Sequence, residues 1–80
     1  MRNDRLLKIA AATFKARPSA LGPDTAIGTI ESWDSLTHLE LVFRLEEEFG
    51  VRFPMQKIVE LKTLGQFETE LDRLRGVSTD

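Results

Sequence analysis

The segment from residue 35 to residue 49 constrains the fold of this chain more than any other stretch. At 100° per residue, its apolar side chains fall on one broad face and its charged side chains fall on the opposite face. The apolar face consists of Leu39, Leu41, Val42, Leu45 and Phe49, and the charged face of Glu40, Arg44, Glu47 and Glu48. Gly50 follows directly, and glycine at this position commonly ends a helix in the left-handed conformation. A helix with one apolar face must bury that face, so we expect a helical bundle.

A first helix precedes this segment, and a long loop separates the two. The first helix is expected to begin with Asn3 or Asp4 as its N-cap and to end near Arg17, because the residue before Pro18 disfavours the helical conformation. Residues 18–34 hold two prolines and two glycines and are expected to form the loop. Apolar side chains recur through this loop, so we expect it to be ordered against the core. They are Leu21, Ile27, Ile30 and Trp33.

Two more helices are predicted after Gly50. Residues 55–61 indicate one or two helical turns, and Thr63 with Gln66 forms a capping box that opens the last helix. The predicted fold class is all-α: a small antiparallel bundle of three main helices plus one short helix, with a long ordered loop between helices 1 and 2. Residues 1–80 are expected to form a single domain, with residues 76–80 as a frayed tail. The predicted core includes Trp33, Leu39, Val42, Phe49, Ile58, Leu64 and Phe67.

Composition and charge exclude several classes of function. The 80 residues contain no cysteine and one histidine, which excludes disulfides, thiolate catalysis and cysteine-based metal sites and leaves little for any other metal site. No apolar run is long enough to span a membrane, so a cytoplasmic location is expected. Residues 35–49 carry four glutamates against one arginine, a net charge of −3. This concentration of acid favours a protein partner with a basic surface over a nucleic acid.

The residue types of a hydrolytic triad occur close together, but their spacing does not suit catalysis. Asp34, Ser35 and His38 lie within one helical turn, where a base cannot reach the serine hydroxyl while an acid lies behind that base. His38 also falls on the apolar face, where a buried and hydrogen-bonded histidine is the simpler interpretation. The consecutive acids Glu46–Glu48 point about 100° apart and do not converge on a cation. The chain is therefore not expected to be an independent enzyme.

Ser35 allows two interpretations. Serine and aspartate are both preferred N-caps, so Ser35 could simply begin the helix. Asp34 can serve as the cap instead, which would place Ser35 at the first helical position with its hydroxyl directed outward. A phosphate-linked group on that hydroxyl would lie at the helix N-terminus, where free amide N–H groups and the helix dipole stabilise an anion.

The stretches "WDSLTHLELVFRLEEEFGVRFP" (33–54) and "LKTLGQFETELDRL" (61–74) resemble the acyl carrier protein family. The resemblance covers nearly the whole chain and implies that Ser35 carries 4′-phosphopantetheine, which a magnesium-dependent phosphopantetheinyl transferase moves from coenzyme A. The thiol of that arm would hold acyl groups as thioesters and present them to partner enzymes in fatty-acid, polyketide or other lipid and secondary biosynthesis.

The resemblance also implies roles for particular side chains. Asp34 and Leu36 would belong to the element that the transferase recognises. Glu40, Phe43 and Glu47 would meet basic and apolar patches on acyl-loading and acyl-processing enzymes. No metal ligand or catalytic residue is implied for the chain itself, and a monomer is the simplest expectation for such a shuttle.

Some residues depart from the usual family pattern. Thr37 stands where carriers of fatty-acid synthases usually have an acid, and Arg44 interrupts the acidic strip. These departures favour a specialised carrier. Two alternatives remain: an adaptor of the same fold that is never pantetheinylated, and an aminoacyl or peptidyl carrier. A solvated face with Leu36 and Phe43 as boundary residues is the alternative to a docking surface.

Overall fold

The computed structural model describes residues 3–76, and four α-helices and one 3-10 turn follow one another in that range. The helices are α1 (Asp4–Phe14), α2 (Ser35–Phe49), α3 (Met55–Glu60) and α4 (Leu64–Arg75), with the 3-10 turn at Pro18–Ala20. α1 packs against α2. The all-α bundle with a long loop between its first two helices confirms the predicted fold class. The predicted frayed tail lies outside the described residues except for Gly76, which ends α4 in the left-handed conformation.

The start of α1 is as predicted, but its end is not. The Asn3 side chain accepts a hydrogen bond from the Leu6 N–H at 3.0 Å and caps the helix. The helix ends at Phe14, so the prediction of an end near Arg17 was wrong. Lys15 adopts the left-handed conformation with φ 53°, and the chain leaves the helix before Pro18 can act. The N–H groups of the two residues after Phe14 both donate to the Ala11 carbonyl, which closes the helix end.

The long loop is fastened to the start of α4. The Leu64 N–H donates to the Thr25 carbonyl at 3.0 Å, and the Gly65 N–H donates to the Pro23 carbonyl at 2.9 Å. The first N–H groups of a helix have no partner within the helix, and here the loop carbonyls supply one. The Ile27 N–H donates in the other direction, to the Lys62 carbonyl at 2.9 Å. The loop is ordered, as the sequence predicts.

The core draws on all four helices and on the loop. Its largest fully buried side chains are Trp33, Phe14, Phe67, Leu6, Leu41, Leu45, Leu64, Leu71 and Val42. Phe49 is partly buried beneath the guanidinium groups of Arg5 and Arg75. Leu39 was predicted for the core, but its side chain is 41% exposed. It lies at the edge of the apolar face of α2, where the neighbouring helices do not cover it. Within residues 3–76, none of the helices combines the length and the apolar character that a membrane crossing requires.

Candidate functional site

The turn that leads into α2 is fixed by Asp34. Its carboxylate accepts hydrogen bonds from the backbone N–H groups of Leu36 and Thr37, both at 3.0 Å. These bonds, that of Thr37 foremost, hold the pKa of the Asp34 carboxyl below its usual range because they favour the charged form. Asp34 is therefore the N-cap, and Ser35 is the first residue of the helix, in the arrangement that the sequence suggested.

Thr37 completes this turn from the other side. Its hydroxyl accepts the Asp34 N–H at 2.9 Å and donates to the Ser32 carbonyl at 2.7 Å. Asp34 and Thr37 thus form a reciprocal capping box. The sequence comparison with fatty-acid carriers treats Thr37 only as a missing acid, whereas the structure gives its hydroxyl two bonds that hold residues 32–34 in place.

Ser35 is exposed at the N-terminus of α2. Neither its hydroxyl nor its N–H forms a hydrogen bond to another residue of the described range. Within the first turn of α2, Asp34 accepts the N–H groups of Leu36, Thr37 and His38, and the Ser35 N–H is left free; a free N–H at a helix start favours a nearby anion. A phosphodiester on Ser35 therefore fits this position: the hydroxyl is accessible, and the adjacent carboxylate of Asp34 is already occupied by backbone donors.

Beneath Ser35 the structure is buried and aromatic. Trp33 precedes Asp34 directly, and its ring stacks on Phe14 with 4.7 Å between centroids. The Trp33 Nε1–H donates to His38 Nδ1 at 3.1 Å, and His38 Nε2 lies 2.8 Å from the Ile58 carbonyl. Since the indole can only donate, Nδ1 accepts and Nε2 carries the proton that the carbonyl accepts. His38 is thus buried and satisfied, which confirms the interpretation drawn from the helical wheel.

The exposed face of α2 begins next to Ser35. Leu36 is 74% exposed and Phe43 is 60% exposed. Glu40 and Glu47 lie between and beyond them, at a spacing of three and four residues, so that all four side chains share one face. Leu36 and Phe43, exposed among these acids, form the candidate contact surface of α2. The structure thus brings the predicted partner-binding residues together.

The four glutamates of α2 have different surroundings. Glu46 accepts the Phe53 N–H at 2.8 Å and holds the chain after the helix, and Glu48 pairs with Arg5 at 2.5 Å. Glu40 pairs with Arg44 at 2.8 Å. No described residue pairs with Glu47. Within the described range, Glu47 is therefore the acid of this helix whose charge is most available to a partner.

Residues 4–71 match the family described as "Phosphopantetheine attachment site". The chain is 33% identical over 61 residues to an "Acyl carrier protein" of Thermosynechococcus vestitus, a match that covers 76% of this chain and 75% of that protein. It is 28% identical over 67 residues to "Acyl carrier protein AcpXL" of Rhizobium etli, covering 84% of this chain and 73% of that protein.

The chain belongs to the phosphopantetheine-binding acyl carrier protein family. Membership implies a covalently attached 4′-phosphopantetheine group and an interaction with a phosphopantetheinyl transferase and acyl enzymes. Proteins of this family carry acyl groups rather than catalyse reactions. The resemblance found in the sequence is confirmed.

Proposed function

We propose that this chain is a non-catalytic acyl carrier that is modified on the Ser35 hydroxyl. The observation that supports this most is that Asp34, and not Ser35, caps the start of α2. Asp34 takes the capping role, so the hydroxyl of Ser35 is not needed for the helix and remains exposed. A serine that merely began the helix would be expected to bond the free N–H groups itself.

The residues of the chain would hold and orient the attached group rather than react with it. The N-terminus of α2 stabilises the phosphate charge, and the capping box of Asp34 and Thr37 keeps the attachment point in one conformation. The thiol at the end of the arm supplies the thioester chemistry. Asp34 and Leu36 form the part of the surface that the transferase recognises, because they flank the hydroxyl and both are exposed.

Partner enzymes would dock on the exposed face of α2. Glu40 and Glu47 attract a basic patch, and Phe43 supplies apolar contact area between them. Exposed charges contribute attraction and orientation more than affinity, so binding should be modest and weaken with salt. The partners are acyl-loading and acyl-processing enzymes that this carrier meets as a monomer in the cytoplasm.

A specialised pathway, rather than primary fatty-acid synthesis, is the biosynthetic setting that we propose. Arg44 neutralises part of the acidic strip through its pair with Glu40, and α3 carries Lys57 paired with Glu60 at 3.6 Å. Partners selected for a uniformly acidic carrier would meet unfavourable positive charge at Arg44.

Intact-mass spectrometry tests the proposal directly. The chain is incubated with coenzyme A, magnesium and a promiscuous phosphopantetheinyl transferase, beside the variant Ser35→Ala and a carrier known to be modified. A gain of one phosphopantetheine arm that Ser35→Ala abolishes is the expected result. No gain under conditions that modify the control carrier would favour an adaptor of the same fold.

A further inference from the structure

His38 joins three segments of the chain at one buried point. Its side chain is 7% exposed, accepts from Trp33 in the loop and donates to Ile58 in α3. Trp33 and Ile58 are both buried. Each of the two ring nitrogens therefore satisfies a polar group that would otherwise be buried without a partner.

The Ile58 carbonyl needs the bond from His38 because α3 is too short to provide a backbone N–H donor for it. In a longer helix the N–H of Lys62 would donate to Ile58, but α3 ends at Glu60 and the Lys62 N–H donates to the Gln66 side chain at 2.6 Å instead. α3 also starts at Pro54 without a side-chain cap. A six-residue helix has little stability of its own. The bond from His38 thus helps to hold α3 against α2, together with the buried side chains of Ile58 and Leu61.

The interior behind this bond is occupied by aromatic rings. The centroids of Trp33 and Phe67 lie 6.4 Å apart, those of His38 and Phe67 5.4 Å apart, and those of Phe53 and Phe67 5.8 Å apart. Such separations are those of rings in direct contact. An alkyl chain that entered the bundle from the Ser35 end would have to displace these rings and separate His38 from α3.

We propose that His38 keeps acyl cargo outside the bundle, so that this carrier takes short or polar acyl groups rather than long alkyl chains. The inference rests on the proposed function, because it concerns the group carried from Ser35. A short or polar group is stable in water, whereas a long alkyl chain is stable only when its apolar surface is buried. Because His38 is bonded to Ile58 and aromatic rings fill the space behind this bond, the interior of the bundle offers a long chain no such burial; Leu39 and Val59, exposed on α2 and α3, leave apolar surface only at the outside.

The test attaches the alkyl group chemically and therefore does not depend on any transferase. The chain has no cysteine, so Ser35→Cys supplies a single thiol that can be alkylated with an ethyl or a dodecyl group. The reporter is the indole N–H resonance of Trp33 in the ¹H–¹⁵N spectrum, together with the methyl resonances of Leu41 and Leu71. We expect the ethyl and dodecyl adducts to show the same Trp33 and core resonances.

Changes that depend on chain length at Trp33 and at the core methyl groups, with His38 intact, would overturn the proposal. Adding His38→Leu removes both hydrogen bonds, and the dodecyl group is then expected to shift the core resonances. His38→Gln is the matched control, since its amide can both accept and donate and should keep the bundle closed. Equal spectra of the two adducts in the His38→Leu background would refute the role of His38.

A general loss of stability would also admit the dodecyl group, because only the long chain gains by burying apolar surface. Leu6→Ala, which weakens the core in α1 and leaves both His38 bonds in place, is therefore expected to keep the two adducts equal; unequal adducts in Leu6→Ala would refute a specific role of His38. If His38→Leu does not fold, the comparison of the two adducts with His38 intact still decides where the cargo lies. The proposed function and this inference can fail independently. If Ser35 is never pantetheinylated, the mass experiment shows it, yet the ethyl and dodecyl adducts of Ser35→Cys can still give equal spectra.

Discussion

Replacing Gly65 with alanine tests how the loop that leads to Ser35 is held. A methyl group at Gly65 would lie 2.9 Å from the Pro23 carbonyl oxygen and 3.3 Å from the Pro23 Cβ. The loop would have to move by about half an ångström, which weakens the bond from the Gly65 N–H to the same carbonyl. Overpacking of this kind costs about 1–3 kcal/mol, and the higher helix propensity of alanine returns at most about 1 kcal/mol. We therefore expect a net loss of roughly 1–2 kcal/mol in the free energy of unfolding.

Thermal and urea unfolding of the full chain measure this loss. For a protein of this size it corresponds to a fall of roughly 5–15 °C in melting temperature. Gly22→Ala is the matched control. Gly22 lies in the loop that contacts Gly65, it does not have a positive φ, and a methyl group added there has no heavy atom within 4 Å. Its stability should be unchanged or slightly higher. A Gly65→Ala variant as stable as Gly22→Ala would refute the close approach of the loop to α4.

Substitutions at three further positions address the site itself. Asp34→Ala should lower the melting temperature, whereas Asp34→Asn should retain the cap. Because the pKa of Asp34 is lowered by folding, its carboxylate stabilises the fold above about pH 4 and loses this effect as the pH falls below that value. Melting temperatures measured as a function of pH should show this dependence in the parent chain and less of it in Asp34→Asn. Thr37→Val should slow the transfer of phosphopantetheine to Ser35 and lower the free energy of unfolding by about 0.5–1.5 kcal/mol. Thr37→Ser keeps the hydroxyl and should retain both the transfer rate and the stability. Equal transfer rates for the Thr37→Val and Thr37→Ser variants would count against a positioning role of Thr37. Glu47→Lys should reduce the rate with a cognate acyl enzyme, most strongly at low salt, without changing the melting temperature; Asp24→Lys makes the same change of charge on the loop, and an equal reduction there would exclude a specific docking face.

Local signals predicted the bounds of α2 and the start of α4, although the local signal of Pro18 placed the end of α1 too late. α2 begins after Asp34 and ends before Gly50, as its cap residues predict, and the capping box of Thr63 and Gln66 opens α4. A cap contacts backbone only three or four residues away, so the residue types and their spacing carry nearly all the information. The same rule left two candidates for the cap, Asp34 and Ser35, and the structure assigns the role to Asp34.

Features set by distant residues were not predictable in this way. The wheel placed Leu39 on the buried face, but whether that edge is covered depends on how α3 lies, and the angle of a residue on one helix contains no such information. The pattern likewise put His38 in the interior without naming Trp33 and Ile58 as its partners. Gly65 carries no signal at all in the sequence, because the contact that excludes a side chain comes from a proline 42 positions earlier in the chain.

This difference between local and distant contacts bears on how carriers with the same motif can differ. The proposed attachment point, Ser35, lies in a turn that is held by bonds among residues 32–37. The placement of cargo depends instead on His38 and the carbonyl of Ile58, 20 residues apart. Substitutions at Thr37 should therefore change the rate of loading and leave the spectra of alkylated chains unchanged, whereas His38→Leu should do the reverse. Trp33 and the Asp34 carbonyl link the two sets of contacts, because they bond the ring and the backbone N–H of His38. The bond between His38 and Ile58 involves neither Ser35 nor Thr37, so we expect that cargo preference can change without loss of the proposed modification site.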